Sequence, residues 1–360
     1  MKLFNLDLHI SVIEDLKEVF SKLDHQIENW SISSHNWVFK KETKAVEFVN
    51  QHTWKHFNQE MCERFYERYK TELSKYDGFV VTHTPCFSLL YQYFEKPIIV
   101  VASTRYEAPF TGNYGKWSWL NSYLDELNSK GRLIAVANNK YDKQYCESFT
   151  DFKWEHIPSL CRYTKVQWHP ERNSFLMDSK MLIVKLRSVN IVHKSRLGRF
   201  NWSDLGKFKG IVVIPYNASC MSVFEYYSAN IPLFFPSQEF SLKLMDLYKD
   251  YGIYSELSWN QVMKLRSGSV LEAKGLDPNS FDDHHSLKHW IGLSDWYDSE
   301  WMPYITYFDS FEDLEHKLTT VDLFEISQNM KNQNIARNSR VEHLWGKKLL
   351  SKEFKYELYQ

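Results

Sequence analysis

Between Tyr216 and Glu225 the chain reads YNASCMSVFE, which sets two hydroxyls, Ser219 and Ser222, ahead of a single carboxylate, Glu225. Hydroxyls and backbone N–H groups at a helix start donate to phosphate oxygens, and the positive end of the helix dipole favours the anion. A carboxylate three residues beyond Ser222 can accept from the two hydroxyls of a ribose. With Tyr216 and Asn217 in the same polar stretch, these residues outline a site for a nucleoside diphosphate. A departing diphosphate needs positive charge if no metal supplies it. Lys185, Arg187, Lys194, Arg196 and Arg199 cluster upstream, and Lys194 and Arg196 are the preferred pair. A second set follows apolar runs in the first half: Asp7 and His9, His83 and Thr84, Arg105 and Glu107. His, Asp and Glu are the types that take a proton from an attacking hydroxyl, which makes His9, Asp7, His83 and Glu107 candidate bases. Arg105 and Thr84 are candidates for holding an acceptor. Each has a plainer reading: Glu107 as the ion-pair partner of Arg105, His83 as the group that orients its own turn.

Specific elements must place these groups. Lys2–His9 reads as a strand entering a helix, with Ser11 as N-cap and Glu14 at the capping-box spacing. A helix is expected over Thr53–Ser74, a strand at Phe79–Val81, a helix over Phe87–Phe94, and strands at Ile98–Ala102 and Arg132–Ala137. Apolar strands alternating with helices imply a parallel sheet buried on both faces. Glu155–Gln167 is expected to cross between domains. In the second half, strands are expected at Met181–Leu186, Gly210–Pro215 and Ile231–Phe235. A helix starting at Ser219 or Ser222 ends at Ala229, with Asn230 as a left-handed C-cap. Another runs from Ser241 to Lys249, and Phe311–Lys348 is a charged helical tail. These patterns divide the chain into 1–157, 158–330 and a tail, 331–360. Ligands of open α/β sheets bind beyond the carboxyl ends of the strands, where both sets of residues fall.

Composition narrows the partners. The 360 residues carry 44 basic and 45 acidic side chains, for a net charge of −1 with no basic stripe, which argues against nucleic acid. Five scattered cysteines without CxxC spacing argue against a disulfide framework and fit a reducing compartment. The N-terminus lacks a signal-peptide core and no run approaches a membrane span, so a cytoplasmic location is expected. Asp282-Asp283-His284-His285 and the pair His52 and His56 lack the partners of a metal site, so no metal and no cofactor is expected.

Over Lys209–Ser237, KGIVVIPYNASCMSVFEYYSANIPLFFPS, the sequence resembles the donor-binding region of GT-B glycosyltransferases. Ser222, Glu225 and Ser228-Ala229-Asn230-Ile231-Pro232 carry the resemblance. Asn230 stands where Gly is commoner, and the loop before Glu225, with Ala218, has no second Glu. The resemblance implies two Rossmann-like domains facing a central cleft. It further implies transfer of a sugar from a nucleotide-sugar donor, held by the second domain, to a glycan or other hydroxyl acceptor on the first. Two alternatives share its residues: a sugar-nucleotide epimerase, and a non-catalytic two-lobed sugar- or nucleotide-binding protein. The chain contains no GxGxxG after a strand, no P-loop and no GxSxG elbow, which disfavours dehydrogenase, NTPase and serine-hydrolase readings.

Overall fold

In a computed structural model, which describes residues 1–33, 35–39, 46–103, 106–179, 186, 188–248, 252–254, 274–276 and 283–350, the chain divides into two units. One comprises Met1–Ser159, Ser258–Asn279 and Val341–Gln360, the other Leu160–Leu257 and Ser280–Arg340.

The first unit is built on six parallel strands: β1 (Lys2–Asp7), β2 (Gln26–Ser31), β3 (Gly78–Val81), β4 (Ile98–Ala102), β5 (Leu133–Ala137) and β6 (Glu155–His156). Their order in the sheet is β2-β1-β3-β4-β5-β6. Every residue of β3 and β4 is buried, as their unbroken apolar runs require of strands covered on both faces. The connecting helices are α1 (Ile10–Ser21), α2 (Gln59–Leu73), α3 (Tyr114–Ser129) and α4 (Lys140–Glu147). The chain goes from β1 outward to β2, then returns across β1 to β3. Strand order therefore reverses between β1 and β3, and such a reversal opens a crevice at the carboxyl ends of those two strands.

The second unit repeats that plan with β7 (Phe175–Asp178), β8 (Ile191–His193), β9 (Ile211–Val213), β10 (Leu233–Pro236) and β11 (Thr306–Phe308). They are parallel, in the order β11-β10-β9-β7-β8, so the reversal lies between β7 and β9. Its helices are α5 (Trp202–Leu205), α6 (Met221–Ser228), α7 (Gln238–Leu247), α8 (His284–Gly292), α9 (Phe311–Thr320) and the part of α10 (Leu323–Leu349) before Val341, the remainder belonging to the first unit. No helix among the described residues is long and apolar enough to cross a membrane.

The two units solve one packing problem in the same way. A Cβ on Gly78 would meet the Pro97 carbonyl oxygen at 2.8 Å, and one on Gly210 would meet that of Pro232 at 2.8 Å. Each carbonyl accepts the N–H of the residue after the glycine, Phe79 or Ile211, at 2.9 Å. Glycine is needed where the backbones come this close.

Several elements differ from their sequence patterns. Helix α1 starts at Ile10, with His9 at the cap position, so Ser11 lies inside it. Starting there buries Ile10, and Glu14 pairs with Lys17 at 3.0 Å instead of closing a capping box. The Thr53–Ser74 helix is a 3₁₀ turn at Trp54–His56 followed by α2, whose Asn58 cap accepts from the Met61 N–H at 2.8 Å. Pro85–Tyr91 is a 3₁₀ turn, with Pro85 in its first turn. Glu155 and His156 of the expected crossover form β6 at the sheet edge. The strand expected at Met181–Leu186 lies outside the described residues except for Leu186, which is not in a strand. One neighbour of β9 in the sheet is β7, upstream of that segment.

Candidate functional site

In the first unit the reversal brings together two of the sequence candidates. His9 follows β1 and His83 follows β3; their rings lie 5.7 Å apart and 26° from parallel. His83 is held at φ 67°, left-handed backbone that a non-glycine residue adopts only where its surroundings impose it. Trp54 packs edge-on against His83 at 5.9 Å and stacks on Phe87 at 6.0 Å. Thr84 is buried, and its hydroxyl donates to the Ala108 carbonyl at 2.5 Å, tying the loop after β3 to the loop after β4. That bond engages Thr84 in the scaffold. Glu107, in the second of these loops, is buried near Tyr145, whose phenol is pushed well above its ordinary pKa by burial and then by the charge of this carboxylate. Asp7 is the last residue of β1. The Asp7 side chain and all of Arg105 lie outside the described residues, as do Lys185 and Arg187.

In the second unit β9 runs into the loop Ile214–Cys220 and then α6. Helices α2, α3, α4, α7, α8 and α9 are capped by side chains: Asn58, Asn113, Asn139, Ser237, Asp283 and Ser310. At α6 the cap residue is Cys220, which makes no side-chain capping bond, and Ser222 is the second helical residue. Ser219 and Ser222 are both partly exposed. Asn217 accepts the Ala218 N–H at 2.7 Å with its own amide oxygen and shapes the loop; Tyr216 is partly exposed beside it.

Glu225 lies one turn further along. Its Oε1 accepts from the Tyr163 hydroxyl at 2.5 Å and its Oε2 from the Trp202 indole N–H at 3.0 Å. Burial raises its pKa above the ordinary carboxylate value, opposed by those two hydrogen bonds and by Lys194. The carboxylate borders a small recess lined also by Thr164, Trp202 and Tyr226. Lys194 Nζ donates to Asp178 Oδ2 at 2.8 Å and to the Tyr226 hydroxyl at 2.6 Å, while Arg196 is exposed. Among the described residues no group of three or more His, Cys, Asp or Glu is arranged to hold a metal ion.

No family model and no curated protein matches the chain. Among solved structures, the glycosyltransferase SnogD from Streptomyces nogalater aligns with a TM-score of 0.43 at 10% identity, over 96% of this chain and 99% of that one. The S. aureus MnaA–UDP co-structure aligns at 0.38 and 12% identity, over 81% and 91%. UDP-N-acetylglucosamine 2-epimerase from Rickettsia bellii gives 0.35 and 11%, over 95% and 98%. At this distance the likeness carries no residue-by-residue correspondence. The chain itself is a pair of Rossmann-like units.

Sequence reasoning missed Trp54, Tyr163, Asp178, Trp202 and Tyr226. Asp178 had a legible signal, an apolar run FLM ending in a carboxylate, which is the pattern that selected Asp7. The other four are aromatic residues in a chain rich in them, and only their contacts set them apart.

Proposed function

We propose that this chain is a glycosyltransferase that binds a nucleotide-sugar donor on its second Rossmann-like unit and a hydroxyl acceptor, a glycan or glycoconjugate, on its first. The observation that carries the reading is that both candidate clusters fall at the strand-order reversal of their own sheets. His9 and His83 follow β1 and β3 in one unit, and the loop into α6 follows β9 in the other. One reversal carries groups that hold a proton, the other a helix start without a capping side chain, flanked by hydroxyls.

In this mechanism the donor diphosphate lies against the first turn of α6, with Ser219, Ser222 and Asn217 donating to its oxygens and Tyr216 alongside. Each Glu225 oxygen has a second lone pair beyond the bond it already accepts, so the carboxylate can take the ribose hydroxyls. His9 or His83 takes the proton of the acceptor hydroxyl as that oxygen bonds to the anomeric carbon and the bond to the diphosphate breaks. Asp7 and Glu107 act with the histidines, and Arg105 orients the acceptor. Lys194, Arg196 and the helix start meet the charge on the leaving diphosphate without a metal.

A thermal-shift screen of the full chain against UDP, GDP, CMP, dTDP, ADP and their sugars tests this directly, because a ligand of the native state raises the melting point by mass action. A shift selective for one nucleotide, with nucleotide release that depends on added acceptor, supports transfer. Acceptor-independent conversion of the sugar favours an epimerase. Absence of any shift overturns the donor site.

A further inference from the structure

Lys194 sits in a cluster that neither its sequence position nor the proposed chemistry explains. It directly follows β8, and its ammonium is clasped from two elements. Asp178, the last residue of β7, accepts through Oδ2 at 2.8 Å, and Tyr226 of α6 accepts at its hydroxyl at 2.6 Å. The Tyr226 hydroxyl in turn donates to the same Asp178 Oδ2 at 2.5 Å. A closed triangle of three polar groups therefore stands at the end of one of the two reversal strands, and through Tyr226 it includes the helix assigned to the diphosphate.

A lysine on a flexible four-carbon stem is ordinarily a mobile point charge. Here two of the three ammonium protons are fixed, which leaves one donor in a set direction. Oδ2 accepts both bonds of the carboxylate that the structure gives it, so Asp178 acts on the site through Lys194 and Tyr226. From this geometry we infer that Asp178 and Tyr226 are positioning residues, holding the Lys194 ammonium toward a nucleoside diphosphate bound at the start of α6. The inference rests on the donor-site reading above and adds the pair that orients its cation.

The test is calorimetric titration of the full chain with UDP, GDP, dTDP and ADP. The variants are Asp178→Ala, Asp178→Asn, Lys194→Met, Tyr226→Phe and the double variant Asp178→Ala with Lys194→Met, with circular dichroism reporting the fold. Asp178→Ala and Lys194→Met should each weaken the bound nucleotide about tenfold, the size of one hydrogen bond to a charged group. The double variant should be no weaker than Lys194→Met alone, because both changes remove one contact. Asp178→Asn should bind at least as tightly as the unmodified chain, since the amide oxygen still accepts while a negative charge is gone. If Asp178→Ala does not fold, Tyr226→Phe carries the test: it should weaken binding, and do so only when Lys194 is present. Unchanged affinity in Asp178→Ala or Tyr226→Phe, or losses that add in the double variant, would overturn the positioning role while the donor site stands. No binding of any of the four nucleotides by the unmodified chain would overturn the donor site, and this role with it.

Discussion

The imidazoles of His9 and His83 face each other at 5.7 Å across the point where the first sheet reverses its strand order. Each follows a buried strand, and each strand is fixed by pairing along the other: Leu3 with Gly78, Phe4 with Phe79 and Asn5 with Val80. The sheet therefore fixes the two strands from which the rings are carried. Two protonatable rings on a rigid frame are suited to moving one proton at a defined place.

If that pair serves the acceptor, His9→Gln and His83→Asn should each lower kcat about 10²-fold with little change in donor KM. Asparagine is chosen at 83 because it tolerates the left-handed backbone found there. Steady-state kinetics with both substrates varied will decide, and full activity in both variants would remove the histidines from the mechanism.

Glu225 makes the stability of the protein depend on pH in a predictable direction. Burial raises its folded-state pKa above the ordinary 4.5. The native state then holds this proton more tightly than the unfolded chain does. The stability it contributes is present below the ordinary value and is lost as pH rises through the raised one. Glu225→Gln should flatten the decline in melting temperature above about pH 4.5, and identical slopes in the two proteins would refute the assignment. Glu225→Ala should instead strand the Tyr163 hydroxyl and Trp202 indole, costing about 1–3 kcal/mol, and should raise donor KM.

Asn230 explains a departure from the commoner glycine. It occupies φ 59° after α6, and its side chain does what glycine cannot. Its Nδ2 donates to Gln167 Oε1 at 2.8 Å, and its Oδ1 accepts from Asn334 of α10 at 2.8 Å. Asn230→Gly should keep the backbone and lose the two bonds, at about 1 kcal/mol each. Asn230→Ala should lose them and add left-handed strain of about 1–2 kcal/mol. Thermal or urea melts should rank the natural chain first, glycine second and alanine last.

Gly78 and Gly210 offer a matched pair of tests. Alanine at either position places a Cβ against a backbone carbonyl at 2.8 Å, and backbone cannot give way as a side chain would. Each substitution should destabilise by about 1–3 kcal/mol. A melting point unchanged by Gly78→Ala and Gly210→Ala would show that the strands separate more easily than their hydrogen bonds imply.

The sequence by itself determined what depends on neighbours along the chain. The buried strands at Ile98–Ala102 and Ile211–Val213 were legible because an unbroken apolar run bounded by polar residues suits a strand covered on both faces. The left-handed Asn230 was legible because few residue types end a helix that way. Candidates such as His9 and His83 followed from the rule that chemistry collects at strand ends. Only the tertiary structure decided which of them meet. The sheet order sets β1 beside β3 and pairs His9 with His83, and no periodicity records that adjacency. The same is true of the Asp178–Lys194–Tyr226 triangle, whose members come from β7, the end of β8 and α6. Burial also overruled a local signal where Ile10 entered the helix and displaced Ser11 from its cap. Capping contributes about 1 kcal/mol, while burying a large aliphatic side chain contributes about 1.5–3 kcal/mol, so the core prevailed.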